Sequence, residues 1–326
     1  MESNVRVLKA IGAWLFLVLL GVAAAAVTIA LVNKYMYGPE TDVRAYFEDL
    51  RDGDGGEALG LLNARVPDSN AAMLDGEPLE AAAGGLEDVE VSTVSDDGER
   101  AVVRAVYTLD GTEHSSEFSL HPVDTQWGFF TVWAFDETEL PTVAVSLPGA
   151  TSVDLNGTAV ALPESAREFS VFFPGVYTAS YTSELVETDP VSTVVTAPGQ
   201  RAEIELRARP TPKLEDEVDR QLREHLNGCA GQNTLYPAGC PFSFEFDGRV
   251  DGEVQWDIED YPDPEITVGE GPGGWSMAPA QGTARIAFDS LDLFTGDVER
   301  VERTVPFEVS ADLRVDDTTV TVTPRG

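Results

Sequence analysis

Lysine is almost missing from this chain: of 21 basic residues only Lys9, Lys34 and Lys213 are lysine. Against 57 acidic residues they leave a net charge of −36. A nucleic-acid backbone needs cationic contacts, so this balance excludes nucleic acid as a partner. Anionic lipid or wall-polymer surfaces are repelled too, unless cations bridge them. Histidine is also scarce, at positions 114, 121 and 225. His114 and His121 lie seven residues apart on a predicted strand, so they face opposite sides and share no metal. There is no H-E-x-x-H, no G-x-S-x-G and no glycine-rich phosphate loop. The two cysteines, Cys229 and Cys240, lack C-x-x-C spacing. Nothing here spells catalysis or a cofactor, and the expectation is a protein that is not an enzyme.

Long apolar runs are absent, with one exception. Residues 10–32 read AIGAWLFLVLLGVAAAAVTIALV, 23 residues without a charge. About 20 such residues cross a bilayer as a helix, which satisfies its own backbone in lipid. Arg6 and Lys9 precede the run and Lys34 follows it. Setting aside Glu2 and those three leaves 56 acidic and 18 basic residues, all of them beyond the run. The positive-inside rule then places residues 1–9 in the cytoplasm, as a tail too short to hold a domain, and the rest outside the cell. Trp14, Tyr35 and Tyr37 stand near the ends of the run, where aromatic rings anchor at the interface. A cleaved signal peptide ending near Ala24-Ala25-Ala26 is the alternative, although the run continues six residues further. Both readings export the same region.

Hydrophobic content of 43% is enough to build cores, and 326 residues allow two or three domains. Val43, Tyr46, Phe47 and Leu50 share one helical face, with Thr41 or Asp42 to cap it. Arg51-Asp-Gly-Asp-Gly-Gly56 breaks that helix. Asp54 and Glu57 then resemble a capping box opening a second one. Predicted strands follow over 86–94, 99–109, 113–123 and 126–135, with turns at 96–98, at Asp110-Gly111 and at Asp124-Thr125. Residues 140–208 read as short strands only, with a tight hairpin at Asn156-Gly157. Pro210-Thr-Pro-Lys213 reads as a stiff linker. A helix over 213–226 carries Leu214, Val218, Leu222 and Leu226 on one stripe, and Gly228 suits its end. Predicted strands over 242–246, 252–258, 282–288, 304–313 and 318–323 complete the chain. The expected class is α+β and multidomain: a transmembrane helix, a cone-like helix-plus-sheet domain (38–138), a small β-sandwich (140–208) and a C-terminal α+β domain (210–326).

The phrase AYFEDLRDGDGGEALGLL at 45–62 resembles the opening of domains in the nuclear-transport-factor-two-like superfamily. In those, helices and a bent sheet form a cone, often with a pocket. VDLNG…FFPGVYTASY resembles small β-sandwich modules of the PEGA type, which imply a spacer or adhesion surface. The whole order is similar to envelope proteins of Gram-positive bacteria, the teicoplanin-resistance-associated membrane proteins among them. Those often carry a zinc ribbon before the helix, and residues 1–9 contain no cysteine. Arginine in place of lysine, with abundant Ala, Gly, Val and Asp, fits the codon usage of a GC-rich, actinobacterial-type genome.

Cys229 and Cys240 would close a loop of about 12 residues in an oxidising compartment, a staple of roughly 3 kcal/mol. Asp52, Asp54 and Glu57 begin like a calcium loop, but the later ligand positions are Gly56 and Asn63, so turn and cap is the reading. A second acidic knot, Asp257, Glu259, Asp260, Asp263 and Glu265, is a calcium candidate set against a solvated loop. Trp127, Phe129, Phe130, Trp133 and Phe135 crowd one predicted strand, either as core on both faces or as a pocket wall. These features together predict a non-catalytic, membrane-anchored binding or interaction protein of the cell envelope, with a wall component or envelope protein as partner. Two alternatives remain: an envelope-stress sensor working through a membrane partner, and an enzyme with a hidden site in an α+β domain.

Overall fold

The computed structural model describes residues 2–268, 274–316 and 318–325. The chain is α+β and mostly sheet. Helix α1 (Glu2–Met36) is followed by α2 (Pro39–Asp52), α3 (Gly55–Leu61) and α4 (Glu77–Ala83). Within α1, Trp14–Val32 is long and apolar enough to cross a membrane, and none of it is covered by the rest of the protein. The side chains of Arg6, Lys9, Lys34 and Tyr35 lie outside the described residues.

Helix α2 buries the predicted face, Val43, Tyr46, Phe47 and Leu50. Its start differs from expectation. Gly38 sits at the N-cap position and Pro39 opens the first turn, so Thr41 and Asp42 lie inside the helix. Proline suits that position because the first-turn N–H has no partner in any case. The Asp54–Glu57 capping box does not form either. Asp54 makes no capping bond, and Asp75 accepts from Gly55 N–H instead, at 3.0 Å. Gly55 is required there, since a Cβ would fall 1.6 Å from the Leu74 carbonyl oxygen. Helix α4 falls within residues 65–85, where the sequence pattern predicts no element.

Four antiparallel strands form the first sheet in sequence order: Leu86–Asp96, Ala101–Leu109, Thr112–Gln126 and Phe130–Phe135. Asp110-Gly111 turns with both residues at positive φ, as its hairpin signal predicts. The next turn is not Asp124-Thr125. The strand runs on to Gln126 and reverses at Trp127-Gly128, where Phe129 N–H donates to Gln126 C=O at 3.2 Å.

Two small sheets follow. One pairs Thr142–Ser146 with Ala166–Ser170 (antiparallel) and Arg201–Glu205 (parallel). The other orders Val191–Val195, Gly175–Ser180, Ser152–Leu155 and Thr158–Ala161. Their buried residues, such as Val143, Val145, Phe169, Val153, Leu155 and Tyr177, join those of α2 and the first sheet in one continuous core. Tyr46 is the hub of that core. Its ring packs on Phe47, Phe118, Phe135, Phe172 and Phe173, and its hydroxyl donates to the Phe173 carbonyl at 2.6 Å.

The supposed linker is ordered structure. Ala208–Pro210 pairs with Val186–Thr188, and Thr211 caps α5 (Pro212–Ala230) by accepting from Leu214 N–H. Gly228 lies inside α5, not at its end. The leucine–valine stripe of α5 packs on a five-stranded sheet: Arg249–Asp260, Gly274–Leu291, Val298–Val315 and Val320–Arg325, with Ile266–Val268 on the edge of Gly274–Leu291. Residues 242–246 are not a strand. They run extended across the sheet, and Phe242, Phe244 and Phe246 pack on Trp256, Phe307 and Phe288.

Removing the Tyr46 hydroxyl orphans a buried carbonyl, at a cost of about 1–3 kcal/mol. Burial also raises the Tyr46 and Tyr177 hydroxyls well above the ordinary tyrosine range. A raised folded-state value stabilises below the unfolded value near 10 and is lost as pH climbs past it. The expected outcome is therefore a Tyr46→Phe chain that melts earlier at pH 7. Its stability should also fall less steeply than wild type above about pH 10. Thermal melts at pH 7, 9 and 11 check both.

Candidate functional site

One cleft among the described residues lies between the two cores. It is lined by Leu147, Tyr181, Val186, Ala208, Trp275 and Val315, and its volume is about 220 Å³. Pockets for small organic ligands are typically roughly 300–1,000 Å³, so this one fits water or a small solute.

The cysteines are joined as a disulfide. Cys229 is buried in the last turn of α5, and the bridge pins the segment after α5 over the C-terminal core. That segment is held further by Trp256, whose indole N–H donates to Thr234 C=O at 2.8 Å. His225 Nε2 lies 3.8 Å from Cys229 Sγ.

His114 stacks on the buried Tyr107, whose hydroxyl meets Ser116 at 2.7 Å. His121 sits elsewhere on the same strand, with Nδ1 2.8 Å from Asp136 Oδ1, while Arg100 approaches the other oxygen at 3.3 Å. This trio is a half-exposed surface network, and the two histidines are not brought together.

The acidic knot does not close into a cage. Asp257 and Glu259 share one strand face and both meet Arg285, at 3.5 and 3.8 Å. Asp260 ends that strand, and Asp263 and Glu265 stand exposed beyond it. Among the described residues no group of three His, Cys, Asp or Glu is arranged to hold a metal ion. Asp52, Asp54 and Glu57 surround the turn between α2 and α3. Their charges raise the Asp49 carboxyl, though desolvation is the larger cause. One Asp49 oxygen is buried with no hydrogen-bond partner.

The aromatic strand is neither all core nor a pocket wall. Phe135 is buried and Trp133 half-buried, and Phe130 stacks on Tyr37 at 4.7 Å. Trp127 and Phe129 are 81% and 62% exposed. A second exposed apolar tip, unnoticed in the sequence, joins Gly274–Leu291 to Val298–Val315. There Leu293 is 73% exposed and Phe294 fully so. Asp292 Oδ1 accepts from the Phe294 and Thr295 N–H groups and sets the shape of that loop. The pattern Asp-x-x-Thr-Gly-Asp was the available signal for a structured turn.

No protein-family model, curated protein or solved structure matches this chain.

Two outcomes are expected. Replacing both cysteines with serine should lower the stability of the C-terminal core by roughly 2–4 kcal/mol, read by denaturant unfolding. Asp49→Asn should raise the melting temperature at pH 7, because a carboxyl with a raised value destabilises once ionised. That gain should vanish as pH falls below about 4, where aspartate is neutral in both states.

Proposed function

We propose that this chain is a membrane-anchored, extracytoplasmic binding or interaction protein of the cell envelope, without catalysis. The uncovered apolar stretch Trp14–Val32 is the fact that carries the proposal, since water does not tolerate such a surface. In this reading residues 1–9 are cytoplasmic, 10–32 span the membrane, and everything from residue 38 lies outside. The units at 38–138 and 140–208 act as one body, because they share a core through Tyr46 and Phe173. The unit at 210–326 stands as a second body, with its own core around α5.

The Leu293–Phe294 tip supports the binding role. It ends a ribbon of two 18-residue strands, about 60 Å of extended chain per strand. Exposed apolar side chains in a chain of charge −36 are costly unless a partner covers them. The partner is a wall component or an envelope protein.

Two measurements test this. Alkaline phosphatase fused after Gly326 should be active in cells, and an inactive fusion would reverse the topology. The full chain in nanodiscs should pellet saturably with purified envelope. A Leu293→Ser/Phe294→Ser variant should bind about tenfold more weakly, the loss of roughly 1.4 kcal/mol. Equal pelleting of both would remove the tip from the contact.

A further inference from the structure

Among the described residues, three turns hold two consecutive residues at positive φ: Asp110-Gly111, Asn156-Gly157 and Trp127-Gly128. The first two use the residues that accept left-handed backbone most readily. The third places the largest side chain at φ +58 and leaves it in the open. A bulky residue there is strained, and such strain persists where something other than folding requires the side chain. Phe129 beside it is exposed, and so are Val123 and Val132 on the flanking strands. Between Pro122 and Trp133 the sole charged residue is Asp124. An unfavourable turn residue, apolar exposure and a gap in the acidic surface thus coincide on one hairpin tip.

The direction of that hairpin follows from two ring pairs. At its base Phe135 packs on Tyr46 of α2, with centroids 6.1 Å apart. At its outer end Phe130 stacks on Tyr37, at 4.7 Å with the planes 13° apart. From Tyr46 to Tyr37 the chain runs back toward α1, and from Phe135 to Phe130 the strand runs alongside it. The strand also touches α1 itself. Trp127 and Phe129 lie beyond Phe130, on the α1 side of the folded region. Tyr37 stands five residues past Val32, about 8 Å along a helix. That is the headgroup depth just outside a hydrocarbon core of about 30 Å.

We infer that Trp127 and Phe129 enter the headgroup layer of the bilayer that α1 crosses, as a second membrane contact beside the helix. The inference rests on α1 spanning that bilayer. Indole and phenyl rings favour this layer, with the ring apolar and the indole N–H wet. One helix alone lets the folded region pivot on its tether. A helix and a hairpin tip fix its tilt, and so fix where the Leu293–Phe294 tip is presented.

The test uses the full chain in phosphatidylcholine vesicles whose acyl chains carry bromine either high or low. Emission of Trp127 is the difference between wild type and Trp127→Asn, and that of Trp14 the difference from Trp14→Phe. Asparagine suits the turn, so Trp127→Asn should keep or raise the melting temperature, and lost signal will not reflect unfolding. The expected result is quenching of Trp127, stronger with bromine high on the chain, together with quenching of Trp14. Quenched Trp14 with unaffected Trp127 overturns the inference and leaves the anchor standing. If Trp14 is unquenched as well, the anchor fails and the inference falls with it. Unquenched Trp127 with an oligomeric state that changes in Trp127→Asn assigns the tip to a second copy of the chain, which also overturns it.

Discussion

A buried tyrosine hydroxyl must find an acceptor, and the acceptor for Tyr46 is the Phe173 carbonyl, 127 residues away. That bond makes a packing arrangement specific. Five aromatic rings around Tyr46 exclude water from it, and they come from α2, from two strands of the first sheet and from the Phe172-Phe173 segment of the following sheets. Hydrophobic burial alone would tolerate several registers of these parts against one another. The hydroxyl tolerates one. Asn156 adds a second tie of the same kind, with its amide donating to the Pro78 and Val176 carbonyls and accepting from Thr178 N–H. The helix-and-sheet unit and the two small sheets therefore share one continuous core.

The C-terminal core is built on different terms. Helix α5 lays a narrow stripe of Leu214, Val218, Leu222 and Leu226 on the sheet, and the flank of that sheet is covered by a segment with no ladder of its own. Three phenylalanines, one indole hydrogen bond and the disulfide hold that segment down. Charge contributes little. Pairs such as Arg300–Asp289 and Arg285–Asp257 are half-exposed cross-strand contacts, which are generally worth about 0–1 kcal/mol. The acidity of the chain concerns what approaches its surface more than how it folds.

Wherever one physical signal dominated, the sequence was legible. The α2 face, the α5 stripe, the Asp110-Gly111 and Asn156-Gly157 hairpins and the cysteine pair all stand as read. Misreadings fell where a tertiary contact overrode a local pattern. Phe242, Phe244 and Phe246 alternate like a strand, but alternation records which side chains are buried, and an extended covering segment buries them equally well. Gly228 looks like a helix terminator, yet α5 continues for two more residues to present Cys229 to Cys240. Helix α4 is a seven-residue piece, EPLEAAA, too short to show a period. Asp54 is a good capping residue displaced by Asp75, twenty positions away and invisible to any local window. The long-range bond of Tyr46 had no sequence signal beyond the helical face itself.

The aromatic hairpin shows why one kind of misreading is informative. Trp127, Phe129, Phe130, Trp133 and Phe135 form a single dense cluster in sequence, and density alone implies burial. The structure divides them along one strand: Phe135 within the Tyr46 core, Phe130 on Tyr37, Trp127 and Phe129 in the open. Burial thus falls steadily from the base of the hairpin to its tip, on the side where α1 leaves the folded region. A protein selected only for folding would place a polar residue at that turn, as this chain does at its two other turns of the same backbone form. Sequences that specify one structure agree with local rules almost everywhere, and they break those rules where another requirement intervenes. Here the broken rule lies beside a helix whose apolar surface the protein leaves uncovered, and the proposed lipid contact would satisfy both exposures at once.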